Sequence, residues 1–272
     1  MDEVKKSELI EINRQQTEFY DHDLDHAGSL PTRIWRSLRR RFISANKELG
    51  INKAINNLHR NWTGDLSQKR VLDLGCFAGN PLSLEIARNS REYLGIDLSE
   101  SALQKLQVKI DRHAIPNAKV RAVDFLSDDF ASEKFDFIYA RAVAHHFKYF
   151  DVFLENLRDH LNPGGRVITY DPLQTYWPLF AIRSLYRPFQ SDKDWEFPFT
   201  KKSVKDIQKY FKICEVQGVL GKAKWSLPLM ILPGAGPKRI AKKLLNKDLN
   251  HANDINSSLW RCLHITMLLE KP

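Results

Sequence analysis

The distribution of apolar positions divides the chain. From about residue 70 onward, short β-branched or apolar runs alternate with stretches of helical period, as in β-α-β units that feed a parallel sheet. Arg70-Val71-Leu72-Asp73-Leu74 predicts a strand running into the turn Gly75-Cys76-Phe77-Ala78-Gly79, with a helix at about 81–89. Glu92 to Asp97 predicts a second strand. Ser99 then suits a helix N-cap, and Leu103, Leu106 and Ile110 recur at helical spacing. Ala118 to Val123 and Phe135 to Ala140 predict the third and fourth strands. A helix over 149–161 ends at Asn162-Pro163-Gly164-Gly165, a stop signal ahead of a fifth strand, Arg166 to Tyr170. Residues 172–200, with prolines at 172, 178, 188 and 198, predict an irregular insertion with a helical middle. Helix 201–211, strand 212–220 and a final strand from Trp260 to Glu270 complete the pattern.

Upstream, Ile34, Trp35, Leu38 and Phe42 fall on one helical face and Arg33, Arg36, Arg40 and Arg41 largely on the other, an amphipathic helix outside the sheet. A length of 272 residues suits one α/β domain with additions better than two independent folds. Residues 1–65 are therefore expected to form an N-terminal helical cap or lid. Residues 66–272 form the main domain, with insertions at about 172–200 and 221–258.

The net charge of +9 invites a nucleic-acid partner until it is divided along the chain. Residues 1–30 carry −5, residues 31–60 carry +7 and residues 221–243 carry +6, which leaves +1 for everything else. The basic excess is thus confined to two segments. The opening Met1-Asp2-Glu3-Val4-Lys5-Lys6 speaks against a secretory signal. The most apolar run, Leu227 to Gly236, is cut by Pro228 and Pro233 and falls short of the ~20 residues of a spanning helix. Cys76, Cys214 and Cys262 are widely spaced and form no CxxC site, so the expected compartment is the reducing cytoplasm.

The turn after the first strand carries the chemistry. Glycine lets backbone approach a ligand closely, which Gly75 and Gly79 would serve. Asp97 ends the second strand, 22 positions after Gly75, where a carboxylate can receive both hydroxyls of a ribose. The turn is GxxxG rather than GxGxxG and opens no obvious diphosphate cradle, which favours a nucleoside with an uncharged linker.

Val71 to Gly79, together with Gly95-Ile96-Asp97-Leu98-Ser99, resembles the class I S-adenosylmethionine-dependent methyltransferases. The likeness continues through Val123-Asp124-Phe125, Phe135 to Phe147 and Leu161 to Gly165, and weakens beyond residue 200. It implies an α/β, Rossmann-like fold: a seven-stranded, mostly parallel sheet with helices on both faces, plus the N-terminal cap and insertions. It also implies S-adenosyl-L-methionine as cofactor. Asp73, Gly75 and Gly79 would face its methionine end, with Cys76 fitting contact and packing equally. Asp97 would face the ribose, Asp124 and Phe125 the adenine, and backbone at Arg141 and Ala142 the sulfonium, with Leu98 a further cofactor-binding position. Leu98 and Phe125 also suit ordinary core positions, and Phe77 suits a pocket wall.

Transfer to a neutral hydroxyl or a protonated amine needs a base. His145 and His146 follow the fourth strand at the carboxyl edge, so they are candidates for that role, with pocket or helix-cap structure as the alternative. Tyr20, the third candidate for the catalytic site, sits where related enzymes have an N-terminal lid, suited to covering the cofactor or to anchoring the arm. Asp21-His22-Asp23-Leu24-Asp25-His26 has metal-like composition but no supporting cluster, so no metal site is assigned.

The chain lacks the Asn/Asp-Pro-Pro-aromatic motif of amino-directed nucleic-acid enzymes and the Pro-Cys nucleophile of cytosine-C5 enzymes. The aromatics Tyr176, Trp177, Tyr186, Trp195, Phe197 and Phe199 suit an apolar or ring-shaped small molecule. An O-methyltransferase of biosynthesis, or an N-methyltransferase, is the leading expectation, with nucleic acid disfavoured and peripheral membrane contact open. The alternatives are a larger acidic acceptor (peptide carboxylate, lipid-linked glycan or RNA) docking on Arg33 to Arg41 and Lys238 to Lys243, or a non-catalytic cofactor-binding scaffold.

Overall fold

The computed structural model describes residues 30–187, 195–231 and 235–272, with Glu8, residues 11–13 and Gln15 near the beginning. Seven strands form one sheet: β1 (Arg70–Leu74), β2 (Glu92–Asp97), β3 (Ala118–Ala122), β4 (Phe135–Arg141), β5 (Leu161–Pro172), β6 (Lys212–Val219) and β7 (His264–Glu270). Their spatial order is β3-β2-β1-β4-β5-β7-β6. β1 to β5 pair in parallel, and β7 lies antiparallel between β5 and β6.

Adjacent strand residues point to opposite faces. Leu72, Ile138 and Val167 enter one apolar cluster, while their neighbours Val71, Tyr139 and Ile168 enter another. Both faces are apolar because helices cover both. These helices include α3 (Pro81–Asn89), α4 (Glu100–Arg112), α5 (Phe150–Asp159) and α7 (Lys201–Tyr210). Asn80 caps α3 through Oδ1, and Ser99 caps α4 by accepting the Ala102 N–H at 3.2 Å.

The fifth strand is longer than its apolar run suggested. Phe135 donates to His160 O at 2.8 Å and pairs with Leu161, and the register then shifts before Phe137 meets Arg166. The Asn-Pro-Gly-Gly segment is thus absorbed as a bulge, with Gly164 at φ +69°, rather than acting only as a stop. The final strand begins later than expected, since Leu259–Arg261 is a 3-10 turn and Cys262 precedes β7.

Upstream lie α1 (Leu30–Leu49) and α2 (Ile51–Thr63), separated by Gly50 at φ +74°. α2 buries Ile51, Ile55, His59 and Thr63, a stripe four residues apart. In the insertions lie α6 (Trp177–Tyr186), between β5 and α7, and α8 (Ala235–His251), between β6 and β7. A third apolar cluster joins Ala45 and Leu49 of α1 to Ala241 and Leu245 of α8, and Glu48 pairs with Lys238. The two basic segments, remote in sequence, are therefore one lobe. Among the described residues, no helix is long and apolar enough to cross a membrane.

Candidate active site

A cavity of about 290 Å³ opens beyond the carboxyl ends of β1, β2, β3 and β4. Of the residues expected at a cofactor, Gly75, Asp97, Leu98, Asp124, Phe125, Arg141 and Ala142 line it, as do Phe77 and His146. Asp73, Cys76 and Gly79 do not. Asn13, Ser99, Val143 and Phe147 line it without having been singled out as site residues.

Glycine is required where β1 enters its turn. Gly75 has φ +65°, and a Cβ there would sit 2.6 Å from Val143 Cγ2. Gly79 answers a packing need, since a Cβ at its φ of +68° would lie 2.5 Å from Leu106 Cδ1 on α4. Lys109 of α4 donates to Ala78 O at 2.6 Å and Gly79 O at 3.1 Å, which ties the turn to that helix. Two non-glycine residues also take positive φ at the cavity, Phe77 at 46° and Ala142 at 58°. Ala142 is held by its N–H bond to Tyr170 O at 2.7 Å.

Asp97 orders the loops on either side of it. One oxygen accepts the Phe77 N–H at 2.8 Å and the other accepts the Ser99 N–H at 3.0 Å. A carboxylate oxygen can accept more than one hydrogen bond, the chemistry that ribose hydroxyls call for. Asp124 accepts the Leu126 N–H at 2.9 Å through Oδ1 and the Asn13 side-chain amide at 2.6 Å through Oδ2. Asn13 thus brings the chain's beginning to the cavity from 111 positions away, and only the tertiary contact marks it. Arg141 donates to Asn56 at 2.6 Å and Asn52 at 2.9 Å and lies 5.4 Å over Tyr170, so its guanidinium fastens α2 to the end of β4.

Asp73 is 2% exposed and accepts the Tyr93 hydroxyl at 2.7 Å. Burial pushes its pKa up to about 6 against the pull of that bond. Cys76 is buried in the cluster with Leu82 and Tyr93, and burial raises its thiol well above the ordinary value.

The two histidines separate into different environments. His145 is buried with Nδ1 2.9 Å from Asp171 Oδ1, which also accepts the His145 N–H at 3.1 Å. His146 lines the cavity, with Nδ1 3.1 Å from Trp195 O. A carbonyl only accepts, so Nδ1 carries the hydrogen and Nε2 of His146 has a lone pair. Burial, then the neighbouring His145, push the His146 pKa down to about 3. The rings lie 4.1 Å apart. Tyr20 and the Asp21 to His26 run lie outside the described residues.

The insertion aromatics do not gather into one acceptor wall. Phe199 is 1% exposed in the main core, drawn in by its N–H bond to Pro172 O at 2.8 Å, whereas Trp177 is 76% exposed. Tyr176 lies apart, at a second cavity. The Tyr186 side chain lies outside the described residues.

These residues fit a nucleoside with an uncharged linker. The acid at the end of β2 suits ribose hydroxyls, while Leu98, Val123, Phe125 and Phe147 offer apolar surface for a purine. The one lining guanidinium, Arg141, is turned to Asn52 and Asn56, which leaves no cationic cradle for a diphosphate among the described lining residues.

A methyltransferase domain family model matches residues 40–212. The chain is 34% identical over 118 residues to the "Probable phthiotriol/phenolphthiotriol dimycocerosates methyltransferase 2" of Mycobacterium ulcerans (strain Agy99), which covers 41% of this chain and 43% of that protein. It is 29% identical over 119 residues to the ubiquinone biosynthesis O-methyltransferase of Acinetobacter baylyi, covering 42% and 49%. The chain thus matches somewhat under half the length of these curated relatives. The N-methyltransferase NodS from Bradyrhizobium japonicum WM9, solved with S-adenosyl-L-homocysteine, superposes with a TM-score of 0.53 at 13% identity, over 85% of this chain and 98% of that one. That likeness is one of fold.

Proposed function

The chain belongs to the methyltransferase domain family, and from that premise we propose that it transfers the methyl group of S-adenosylmethionine to an oxygen, or failing that a nitrogen, of a small-molecule acceptor. S-adenosylmethionine supplies an already activated sulfonium methyl. The protein's own work is then orientation, exclusion of water and removal of the acceptor's proton. In this reading Gly75 and Ala142 offer backbone at the reacting end, Asp97 accepts the ribose hydroxyls, and Asp124 with Phe125 holds the base. α1 and α2 act as a cap fastened through Arg141. One relative is named a probable phthiotriol/phenolphthiotriol dimycocerosates methyltransferase and another a ubiquinone biosynthesis O-methyltransferase, and the second name supports an oxygen acceptor in biosynthesis.

The observation that carries the assignment of a base is His146. Its Nδ1–H is directed to Trp195 O, so Nε2 is the proton acceptor, unprotonated throughout the neutral range at a pKa of about 3. The acceptor's hydroxyl proton would pass to Nε2 as the carbon–oxygen bond forms and the sulfonium carbon–sulfur bond breaks, with neutral S-adenosylhomocysteine as the leaving group. His145, anchored on Asp171, acts as a positioning residue whose ring backs His146.

Incubation with isotopically labelled methyl donor and fractionated cell extract, followed by mass spectrometry, identifies the acceptor. On that acceptor, His146→Ala should lower turnover by about 100-fold or more while S-adenosylhomocysteine binding persists. The wild-type rate should show no limb near pH 6.5. Unchanged turnover in His146→Ala would remove the base role, and cofactor binding without any labelled product would support a scaffold. A larger acidic acceptor is the second reading, favoured by the convergence of the basic segments on α1 and α8. A steep loss of acceptor binding with added salt would select it.

A further inference from the structure

A second cavity, of about 190 Å³, shares no lining residue with the first. It lies beyond the carboxyl end of β6. That strand is antiparallel to β7, which is antiparallel to β5, so β6 points the same way as β5 and its loop opens on the same sheet edge as the first cavity. Four of its lining residues are cationic, Lys222, Lys224, Lys247 and Arg261, and one, Asp248, is acidic.

The acid is already committed. Asp248 accepts the Lys222 N–H at 2.7 Å on one oxygen and the Ala223 N–H at 2.8 Å on the other, which locks the turn after Gly221. Lys224 stands at the floor, 5% exposed. Its ammonium donates to the carbonyls of Gly221 and Arg261 and lies 4.9 Å from the Tyr176 ring centroid and 5.3 Å from that of Trp225. An ammonium has three hydrogens, and the two carbonyls take two. Among the described residues no carboxylate forms an ion pair with Lys224, nor with the heads of Lys222, Lys247 and Arg261, which stand exposed at the mouth. Burial, ahead of every other influence, holds the Lys224 pKa below the usual lysine value, while the Asp248 carboxylate in the same cavity pulls it the other way, so the four cations face one acidic charge.

We propose that this cavity is an anion-binding subsite that takes a phosphate group, with Lys224 at its base and Lys222, Lys247 and Arg261 closing on it. A tetrahedral phosphate presents acceptor oxygens in several directions, which suits donors arriving from the floor and the rim. A carboxylate offers two oxygens in one plane and leaves part of this set unused. Ser258 and His251 supply further polar lining, and Tyr176 and Trp225 supply ring surface for whatever carries the phosphate. The phosphate belongs to the methyl acceptor or to a free phosphate compound. Only the first source rests on the transfer reading above.

The test uses the full chain and inorganic pyrophosphate as probe, followed by calorimetry at constant ionic strength. Saturable binding is expected, weakened by about tenfold for each charged hydrogen bond lost in Lys247→Ala and Arg261→Ala. Lys224→Met should abolish it, and if that variant does not fold, the two rim variants carry the test. Lys105→Ala, on the exposed face of α4, serves as the control. S-adenosylhomocysteine binding, measured on the same samples, should be the same in all of them. Its absence in wild type would count against the transfer reading and leave the subsite standing. Loss of labelled product after phosphatase treatment of the extract assigns the phosphate to the acceptor, and unchanged product assigns it to a free compound. No saturable pyrophosphate binding, or binding unchanged in the rim double variant, overturns the proposal.

Discussion

His59 offers a worked case of how this fold depends on a buried neutral imidazole. It is 0% exposed, with Nδ1 3.1 Å from the Tyr139 hydroxyl and Nε2 2.8 Å from Thr266 Oγ1. The Thr266 hydroxyl spends its one hydrogen on Thr169 O at 2.5 Å, so His59 Nε2 must donate and Nδ1 must accept from Tyr139. Protonation would put a second hydrogen where Tyr139 donates. Burial, then the charge of Arg141, push the His59 pKa down to about 3. The unfolded chain binds that proton near pH 6.5, so the native state is disfavoured as pH falls below 6.5, and the loss is complete only near the folded value. Linkage gives a cost of about 1.4 kcal/mol at pH 5.5 relative to pH 7.5, and about 2.7 kcal/mol at pH 4.5. His146, with the same depressed value, acts in the same direction, while Asp73, raised to about 6, works against both and offsets about 0.8 kcal/mol at pH 5.5. The His59 contribution is isolated by comparison with His59→Gln, whose amide nitrogen can keep the bond to Thr266. Urea unfolding of both proteins from pH 7.5 to 4.5 should find the variant less stable by about 1–3 kcal/mol at pH 7.5. Its pH dependence should be flatter by the amounts above. Parallel stability curves for the two proteins would refute the buried neutral imidazole.

Two further outcomes follow from the cavity walls. Gly75→Ala should lose about 2–5 kcal/mol in thermal or urea unfolding, from a left-handed backbone combined with overlap on Val143. Val143→Ala in the same chain should restore only the overlap part, and full restoration would show that the φ of +65° carries no cost. Asp97→Ala should abolish S-adenosylhomocysteine binding by calorimetry, because both the ribose acceptor and the bonds that order Phe77 and Ser99 disappear together. Tight binding retained by that variant would sink the ribose assignment.

Much of the sheet was legible because its signals are local. Strand residues such as Val71-Leu72 and Ile138-Tyr139 are apolar on successive positions, which occurs when both faces are covered, and the helix after β2 announces itself through Ser99 and a 3.6-residue period. The turn at Gly75, the acid at Asp97 and the run Val123 to Phe125 were legible for the same reason, since each sits where a strand ends. Segments whose structure depends on a remote partner were not. The Asn162 to Gly165 stretch reads as a stop, and only pairing of Leu161 with Phe135 turns it into a bulged strand. Leu259–Arg261 reads as the start of a strand, yet forms a turn before β7 finds its place between β5 and β6.

The sequence by itself determined the order of elements, the glycine turn, the acid after β2 and the family they resemble, because those depend on residues a few positions apart. Tertiary structure decided which remote groups meet. It set Asn13 on Asp124, gave His145 to Asp171 and His146 to the cavity, buried His59 behind Arg141, and joined two basic segments through Ala45, Leu49, Ala241 and Leu245. It also set Lys224 at the floor of a cavity that its place in the chain gave no reason to expect. Side-chain chemistry is written in the sequence, but burial and partnership set a histidine's pKa and the direction of its hydrogen, and both arise only when distant segments pack.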